Sequence, residues 1–303
     1  MTKTTGLLAS DLIKLNNFQL AGKLVSDELM LGIHASKRSG TGTEFEQYRH
    51  YQPGDDPKRI DWKLFARSGK HLVRESSTES NKQIRFLLDL SGSMNYTENN
   101  ISRLAYSQIL ISSLAYLGYL QNDLMSLFTL KNGEVQTLTS AMSSSSGKQS
   151  FQKILFALQK TSATGLWSPE KTENGGLKFP ELHSKTPELL IFVTDFLQAD
   201  DEWIQLIRMM AGSRREIVIF QVLGEQEVDF NLKGFYRFKD LETGKEIELE
   251  AEAVRKKFLQ TSEEYLKKVE DDLRMPYVHL VRAKLSDPLG IVLKRYLSGK
   301  LTS

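Results

Sequence analysis

The sequence predicts an α/β fold with a mostly parallel sheet flanked by helices. From residue 82 onward, short apolar runs bounded by polar residues alternate with longer segments that suit helices. Strands that alternate with helices imply a parallel sheet covered on both faces. The predicted strands are 84–88, 124–130, 189–193, 216–223 and 278–281, and the predicted helices are 104–120, 151–158, 203–210, 251–273 and 289–297.

Two turn signals add hairpins to this pattern. Asn132-Gly133 predicts a tight turn from the second strand into residues 135–138. Thr243-Gly244 lies between two short strand-like runs, 235–238 and 247–249, and predicts a second hairpin.

The N-terminal part of the chain has a different character. Residues 1–31 are predicted to be helical because their leucines recur at roughly helical spacing. Residues 32–75 mix glycines with charges and aromatic residues, which favours loops and short strands. We therefore divide the chain into an N-terminal segment, 1–80, packed alongside an α/β domain, 81–303.

Composition excludes several classes of protein. The chain has 40 Lys plus Arg and 38 Asp plus Glu, so its net charge of +2 gives no electrostatic reason to expect nucleic acid binding. It has no cysteine, which excludes disulfides, thiolate metal sites and cysteine nucleophiles.

The apolar segment 104–120 is interrupted by serines and a glutamine, so we expect a buried helix and no membrane span. The N-terminus lacks a secretory pattern, so the expected location is the cytoplasm.

The most informative segment follows the first predicted strand. Asp89 ends that strand, and Ser91 and Ser93 follow at alternate positions. Because ligands gather at the carboxyl ends of parallel strands, a loop here can turn all three oxygens toward one point. Hard oxygen ligands suit Mg²⁺, Mn²⁺ or Ca²⁺, and so sparse a set favours Mg²⁺ with an open coordination position.

A second acid occupies the matching place on another strand. Residues 189–193 form a continuous apolar run, and Thr194-Asp195 follows it. If the two strands are neighbours, Asp89 and Asp195 face each other and either repel or share a cation. The alternative interpretation is that these Asp and Ser residues cap helices or form turns. Two strand-end aspartates, each after a buried run, favour the metal site.

These residues resemble a known site and a known family. Asp89-x-Ser91-x-Ser93 with Thr194-Asp195 resembles the metal-ion-dependent adhesion site of von Willebrand factor type A domains. An upstream segment resembles the signature of the DUF58 family, and the resemblance extends from about residue 31 to the C-terminal helix. The signature here reads Glu44-Phe-Glu-Gln-Tyr48-Arg49-x-Tyr51-x-Pro53-Gly54-Asp55-Asp56-x-x-Arg59-Ile60-Asp61-Trp62-Lys63.

The resemblance implies a von Willebrand A-like, Rossmann-like fold. It implies a metal bound directly by Ser91 and Ser93, held through water by the two aspartates, and completed by a partner's carboxylate. A threonine from another loop normally joins such a site. Thr164 is the best match, although Ser162-Ala163 stands where a glycine-rich lead-in is usual, and Thr161 is the rival. The implied partner class is a MoxR-type AAA+ ATPase, acting with it in chaperone-like maturation of client proteins.

Enzymatic alternatives are weaker. An Mg²⁺-dependent phosphohydrolase could use Asp89 as a nucleophile, but such sites carry a second aspartate two residues on, where this chain has Ser91. A serine hydrolase on Ser91 or Ser93 lacks the Gly-x-Ser-x-Gly pattern. We therefore expect a binding module and not an enzyme. The charged signature at 44–63 is either an ion-pair network that fixes its own loop or a docking surface, and the sequence does not separate the two.

Overall fold

The computed structural model describes most of the α/β part of the chain and pieces of the rest. The described residues are 6–37, 48–51, 62, 65, 69–70, 72–74, 83–140, 147–164, 187–197, 201–241 and 243–300. Most of the 44–63 signature, including Pro53 to Asp61, lies outside them. Among the residues described, no helix is both long enough and apolar enough to cross a membrane.

The order of elements follows the predicted alternation. The helices are α1 (Ala9–Ile13), α2 (Phe18–Lys37), α3 (Arg103–Leu120), α4 (Gly147–Leu158), α5 (Asp201–Met210), α6 (Glu225–Asp229), α7 (Ala251–Asp272) and α8 (Leu289–Lys300). The strands are β1 (Tyr48–His50), β2 (Leu72–Arg74), β3 (Gln83–Asp89), β4 (Thr97–Glu98), β5 (Ile101–Ser102), β6 (Leu124–Lys131), β7 (Glu134–Thr139), β8 (Glu188–Thr194), β9 (Arg215–Leu223), β10 (Phe235–Lys239), β11 (Glu246–Glu250) and β12 (Val278–Lys284).

The central sheet has six strands in the order β12-β9-β8-β3-β6-β7. All neighbouring pairs are parallel except β6 and β7, which form the hairpin predicted at Asn132-Gly133. Both turn residues have positive φ, 53° and 71°, as a two-residue hairpin turn requires. The predicted α/β class with a mostly parallel sheet is confirmed.

Helices cover both faces of this sheet. On one face, Phe192 of β8 stacks on Trp203 of α5 with ring centroids 5.4 Å apart, and Val269 of α7 joins the same buried cluster. On the other face, Phe220 of β9 contacts Tyr296 of α8 at 5.7 Å. Because successive residues of a strand point to opposite faces, strands buried on both sides must be continuous apolar runs, which is the pattern in the sequence.

Contacts divide the chain into two compact units. One comprises Met1–Met30 with Lys82–Ser303, and the other comprises Leu31–Asn81. In the second unit, β1 and β2 pair antiparallel with Arg49 opposite Val73. The sequence-based boundary between residues 80 and 81 stays a prediction, but the contacts place residues 1–30 with the α/β part.

The helical prediction for residues 1–31 is wrong in its boundaries. The chain forms two helices separated by a turn at Asn16, whose φ is 47°, and α2 continues to Lys37 through residues expected to be loop. One glycine at position 32 costs a helix only about 1 kcal/mol, so it does not end α2.

Helix α2 packs closely on α3. The Ser26 hydroxyl lies 2.8 Å from the carbonyl oxygen of Gly22 and 3.0 Å from that of Ser113. A Cβ at Gly22 would lie 2.7 Å from the Ser112 carbonyl oxygen, closer than side chains normally approach. The absence of a side chain at position 22 therefore sets the distance between the two helices.

We expect Gly22→Ala to destabilise the protein although alanine is the better helix former. The helix would gain up to about 1 kcal/mol in propensity, but the clash with backbone should cost about 1–3 kcal/mol. Urea denaturation should show a lower free energy of unfolding. Gly212→Ala is the control because a Cβ there has nothing within 4 Å. An unchanged or raised stability of the Gly22 variant would contradict the close packing.

Candidate functional site

The candidate site lies where β3 and β8 end. The two strands pair in parallel with Leu88 beside Val193, so Asp89 ends next to Thr194 and Asp195. The two strands that the metal site needs as neighbours are therefore paired in the structure. Both acids are buried, with 0% of Asp89 and 1% of Asp195 exposed to solvent.

Hydrogen bonds fix the Asp89 carboxylate on both of its oxygens. The backbone N–H of Ser91 donates to Oδ1 at 2.8 Å, and the Thr194 hydroxyl donates to Oδ2 at 2.6 Å. Burial, and secondarily the negative charge of Asp195, raises the pKa of Asp89 to about 7 despite these hydrogen bonds. Asp89 is thus a carboxylate whose negative charge lacks full compensation.

The two serines lie together beside it. Ser91 is buried, and its Oγ lies 3.0 Å from the Oγ of Ser93 across a short 3₁₀ turn at Gly92–Asn95. Ser91 precedes that turn but makes no capping bond with its side chain. The cap of α3 is Ser102, whose hydroxyl accepts the N–H of Ala105 at 3.1 Å. Helix capping therefore does not account for the hydroxyls of Ser91 and Ser93.

Asp195 has a partner that the sequence did not reveal. Nη1 of Arg103 donates to its Oδ2 at 2.7 Å and also to the carbonyl oxygen of Ser93 at 2.9 Å. The other side of the guanidinium pairs with Glu227, and its face lies 4.6 Å from the centre of the Tyr96 ring. Asp195 is therefore compensated by a buried cation, whereas Asp89 is not.

A sequence signal for Arg103 does exist. It is the first residue of α3, directly after the capping serine, where the helix dipole disfavours a positive charge. A basic residue at such a position in an otherwise apolar helix indicates acidic partners elsewhere in the fold. Nothing local indicates that one of them is Asp195, which is 92 residues away.

The structure brings the loop of Thr164 to the site. The Thr164 N–H donates to the carbonyl oxygen of Leu90 at 3.1 Å, and Asn95 Nδ2 donates to the Ala163 carbonyl oxygen at 2.5 Å. The Thr164 hydroxyl accepts from Nζ of Lys131 at 2.8 Å. Thr161 is engaged elsewhere, since its hydroxyl lies 2.8 Å from the Leu158 carbonyl oxygen and 3.0 Å from Gln108 Nε2.

The donor set fits a hard divalent cation held mainly by hydroxyls. Within the described ranges, no group of three or more His, Cys, Asp or Glu could hold a metal ion. The candidate oxygens are the paired hydroxyls of Ser91 and Ser93, the hydrogen-bonded carboxylate of Asp89 and the hydroxyl of Thr164, which already accepts from Lys131. Such oxygens suit Mg²⁺, and a nearby cation would favour the ionised form of Asp89. Asp195 would act at longer range, because Arg103 already holds one of its oxygens.

The raised pKa of Asp89 predicts a pH-dependent stability. Between its ordinary pKa of 3.8 and about 7, the folded protein holds a proton that the unfolded chain releases, so stability falls as pH rises through this window. Asn at position 89 carries no charge and can still accept the Ser91 N–H. In EDTA, we expect Asp89→Asn to unfold with a higher free energy than the wild type at pH 8, by on the order of 2 kcal/mol.

This difference should shrink as pH falls toward 4. Urea denaturation of both proteins at pH 4.5, 6 and 8 measures it, and titrating groups that do not interact with Asp89 cancel in the comparison. A difference that stays constant with pH, or that grows as pH falls, would contradict the raised pKa.

Comparisons with known proteins give distant matches over most of the chain. An uncharacterized protein of Mycobacterium bovis is 22% identical over 230 residues, which are 76% of this chain and 70% of that protein. Among solved structures, BatB from Bacteroides thetaiotaomicron matches with a TM-score of 0.44 and 15% identity, over 73% of this chain and 100% of that one. The SpRpn10 VWA domain matches with a TM-score of 0.38 and 12% identity, over 70% of this chain and 93% of that one.

A family match spans most of the chain. The family described as "Protein of unknown function DUF58" matches residues 47–267, which is more than half of the 303 residues. This match includes β1, both strand-end acids, the two serines and the second hairpin. The chain therefore belongs to the DUF58 family.

Proposed function

We propose that this chain is a non-catalytic protein-binding module that uses a divalent cation to hold a carboxylate of a partner protein. The observation that carries the proposal is the pair of Ser91 and Ser93 hydroxyls, 3.0 Å apart, beside the buried carboxylate of Asp89. A buried carboxylate with a strongly raised pKa, set beside paired hydroxyls at a strand end, is a candidate for ligand binding.

The charges at the site support a cation there. Asp89 and Asp195 are both buried, and among the contacts of the described residues only Asp195 has a cationic partner, Arg103. Mg²⁺ is the favoured ion, with Mn²⁺ or Ca²⁺ as alternatives, because few protein oxygens are present and Mg²⁺ retains several waters. A bound ion with exchangeable waters would offer a coordination position to an incoming Asp or Glu.

The proposed partner is a MoxR-type AAA+ ATPase, with this chain acting as an adaptor in chaperone-like maturation of client proteins in the cytoplasm. Support for this partner comes from the resemblance in sequence, since the geometry of the site selects only a carboxylate. A pull-down with a purified ATPase of this class, in Mg²⁺ and in EDTA, tests it. Recovery that is equal in both buffers would contradict metal-dependent binding.

The environment of Asp89 supports binding over catalysis. A nucleophilic aspartate must present an oxygen to phosphate, but both oxygens of Asp89 accept hydrogen bonds and its side chain is fully buried. The alternative function, an Mg²⁺-dependent phosphohydrolase, predicts turnover of a phosphate monoester that Asp89→Asn abolishes. A phosphatase assay on the two proteins separates the functions.

Removing the two site hydroxyls should remove metal binding. We expect Ser91→Ala combined with Ser93→Ala to lose calorimetric binding of Mg²⁺ and Mn²⁺, because two ligand oxygens disappear, while circular dichroism stays unchanged. Ser112→Ala with Ser113→Ala is the matched control, since the hydrogen bonds of those two hydroxyls go to the carbonyl oxygen of Ile109 within α3. Equal metal binding by wild type and site variant would refute the proposal.

The two threonines should differ in the same assay. We expect Thr164→Val to weaken Mg²⁺ binding roughly tenfold, the effect typical of losing an accessory group at a metal site. Thr161→Val should leave the affinity unchanged, because its hydroxyl bonds to Leu158 and Gln108 instead. The reverse ranking would assign the accessory role to Thr161.

A further inference from the structure

A groove opens directly beside the candidate site. It lies between α4 and the β6–β7 hairpin and has a volume of about 640 Å³. Leu90 forms part of its wall, and Leu90 stands between Asp89 and Ser91 in the chain. The carbonyl oxygen of Leu90 accepts the N–H of Thr164, so the groove and the site share one wall.

The groove is basic. Lys131, Lys153 and Lys160 line it, and none of the described residues that line it is acidic. Lys131 points toward the site, with its Nζ 2.8 Å from the hydroxyl of Thr164. Three positive charges on one concave surface are a local feature, because the whole chain has a net charge of only +2. They favour an anionic occupant.

The groove also exposes apolar surface. Phe156 is 60% exposed and Leu138 is 42% exposed, and both line the groove. Phe156 is not part of the core of α4, whose buried apolar residues are Phe151, Ile154, Leu155 and Leu158. The ammonium of Lys160 lies 3.9 Å from the centre of the Phe156 ring, so positive charge and aromatic surface adjoin.

We propose that this groove binds an acidic segment of a partner protein that carries a large apolar side chain. The acids pair with Lys131, Lys153 and Lys160, and the apolar side chain packs on Phe156 and Leu138. The inference rests on the proposed function, since it describes the partner that would present a carboxylate at the neighbouring site. Charge complementarity and continuity with that site argue for this occupant, and the apolar surface favours a protein over a nucleic acid.

The test uses a displayed library of random 12-residue peptides as the probe. The library is selected on the immobilised full chain in Mg²⁺. The enriched peptides are then labelled with fluorescein, and their affinity for the chain is measured by fluorescence anisotropy. We expect enriched peptides to combine net negative charge with at least one aromatic or large aliphatic residue. Lys153→Glu with Lys160→Glu should weaken their binding at least about tenfold, the scale of two lost ion pairs.

Two matched controls separate the groove from general effects. Lys256→Glu with Lys257→Glu makes the same charge change on exposed residues of α7 and should alter affinity less than about twofold, as for distant charges screened by salt. Phe156→Ala should weaken binding, whereas Phe235→Ala, at a residue 82% exposed on the β10–β11 hairpin, should not.

The outcomes distinguish this inference from the proposed function. If binding depends on the groove lysines but not on Mg²⁺ or on Ser91 and Ser93, the groove stands and the metal-dependent function fails. If Mg²⁺ binds at the site and the lysine variant binds the peptides as the wild type does, the groove proposal is refuted and the metal-dependent function is not. Selection of peptides without acidic bias also refutes it.

Other occupants would give different results. A labelled single-stranded 20-mer of DNA that binds more tightly than the peptides, and loses binding in the lysine variant, would assign the groove to nucleic acid. Self-association of the wild type in light scattering, abolished in the lysine variant, would assign it to a second copy of this chain. Either result overturns the proposal.

Discussion

The burial of two carboxylates at one edge of the sheet constrains everything around them. Removing an ionised group from water costs several kcal/mol unless hydrogen bonds or an opposite charge compensate it. The protein compensates the two acids differently. Asp195 has the guanidinium of Arg103, while Asp89 has only the hydrogen bonds from Ser91 and Thr194. Burial, together with the nearby charge of Asp195, therefore raises the pKa of Asp89 to about 7.

Arg103 organises the loop that carries the serines. Its guanidinium donates to the carbonyl oxygen of Ser93 and to the carboxylate of Asp195, which directly follows β8. It also pairs with Glu227 in α6. Glu98 connects the same region again, because its carboxylate accepts backbone N–H groups at the start of α6 and the Tyr96 hydroxyl. A polar network of this kind fixes the shape of a loop that has little secondary structure of its own. The fold itself therefore holds the two serine hydroxyls 3.0 Å apart.

The same edge of the sheet combines two kinds of charge. Buried oxygens gather at the ends of β3 and β8, while the ammonium of Lys131 reaches Thr164 at the border and the groove beyond it is basic. With the cation of the proposed function bound, this surface would attract an acidic chain along its whole length. This arrangement can give specificity for a partner through charge pattern as well as through a single coordinated carboxylate.

Much of the fold, and the strand-end acids of the site, follow from the sequence by itself. Continuous apolar runs specify strands buried on both faces, the Asn132-Gly133 pair specifies its hairpin, and the acids after two such runs mark the ends of neighbouring strands. These signals are local, because they depend on side-chain periodicity and on backbone conformations that few residues adopt.

Only the tertiary structure decided how the charges are compensated. The pairing of Arg103 with Asp195 and the approach of Thr164 to Leu90 join residues far apart in the chain. The groove likewise forms only when α4 packs beside the β6–β7 hairpin and brings Lys153 and Lys160 near Lys131. Long-range contacts of this kind leave no periodic trace in a single sequence, because electrostatic partners are selected by distance in space and not by spacing along the chain.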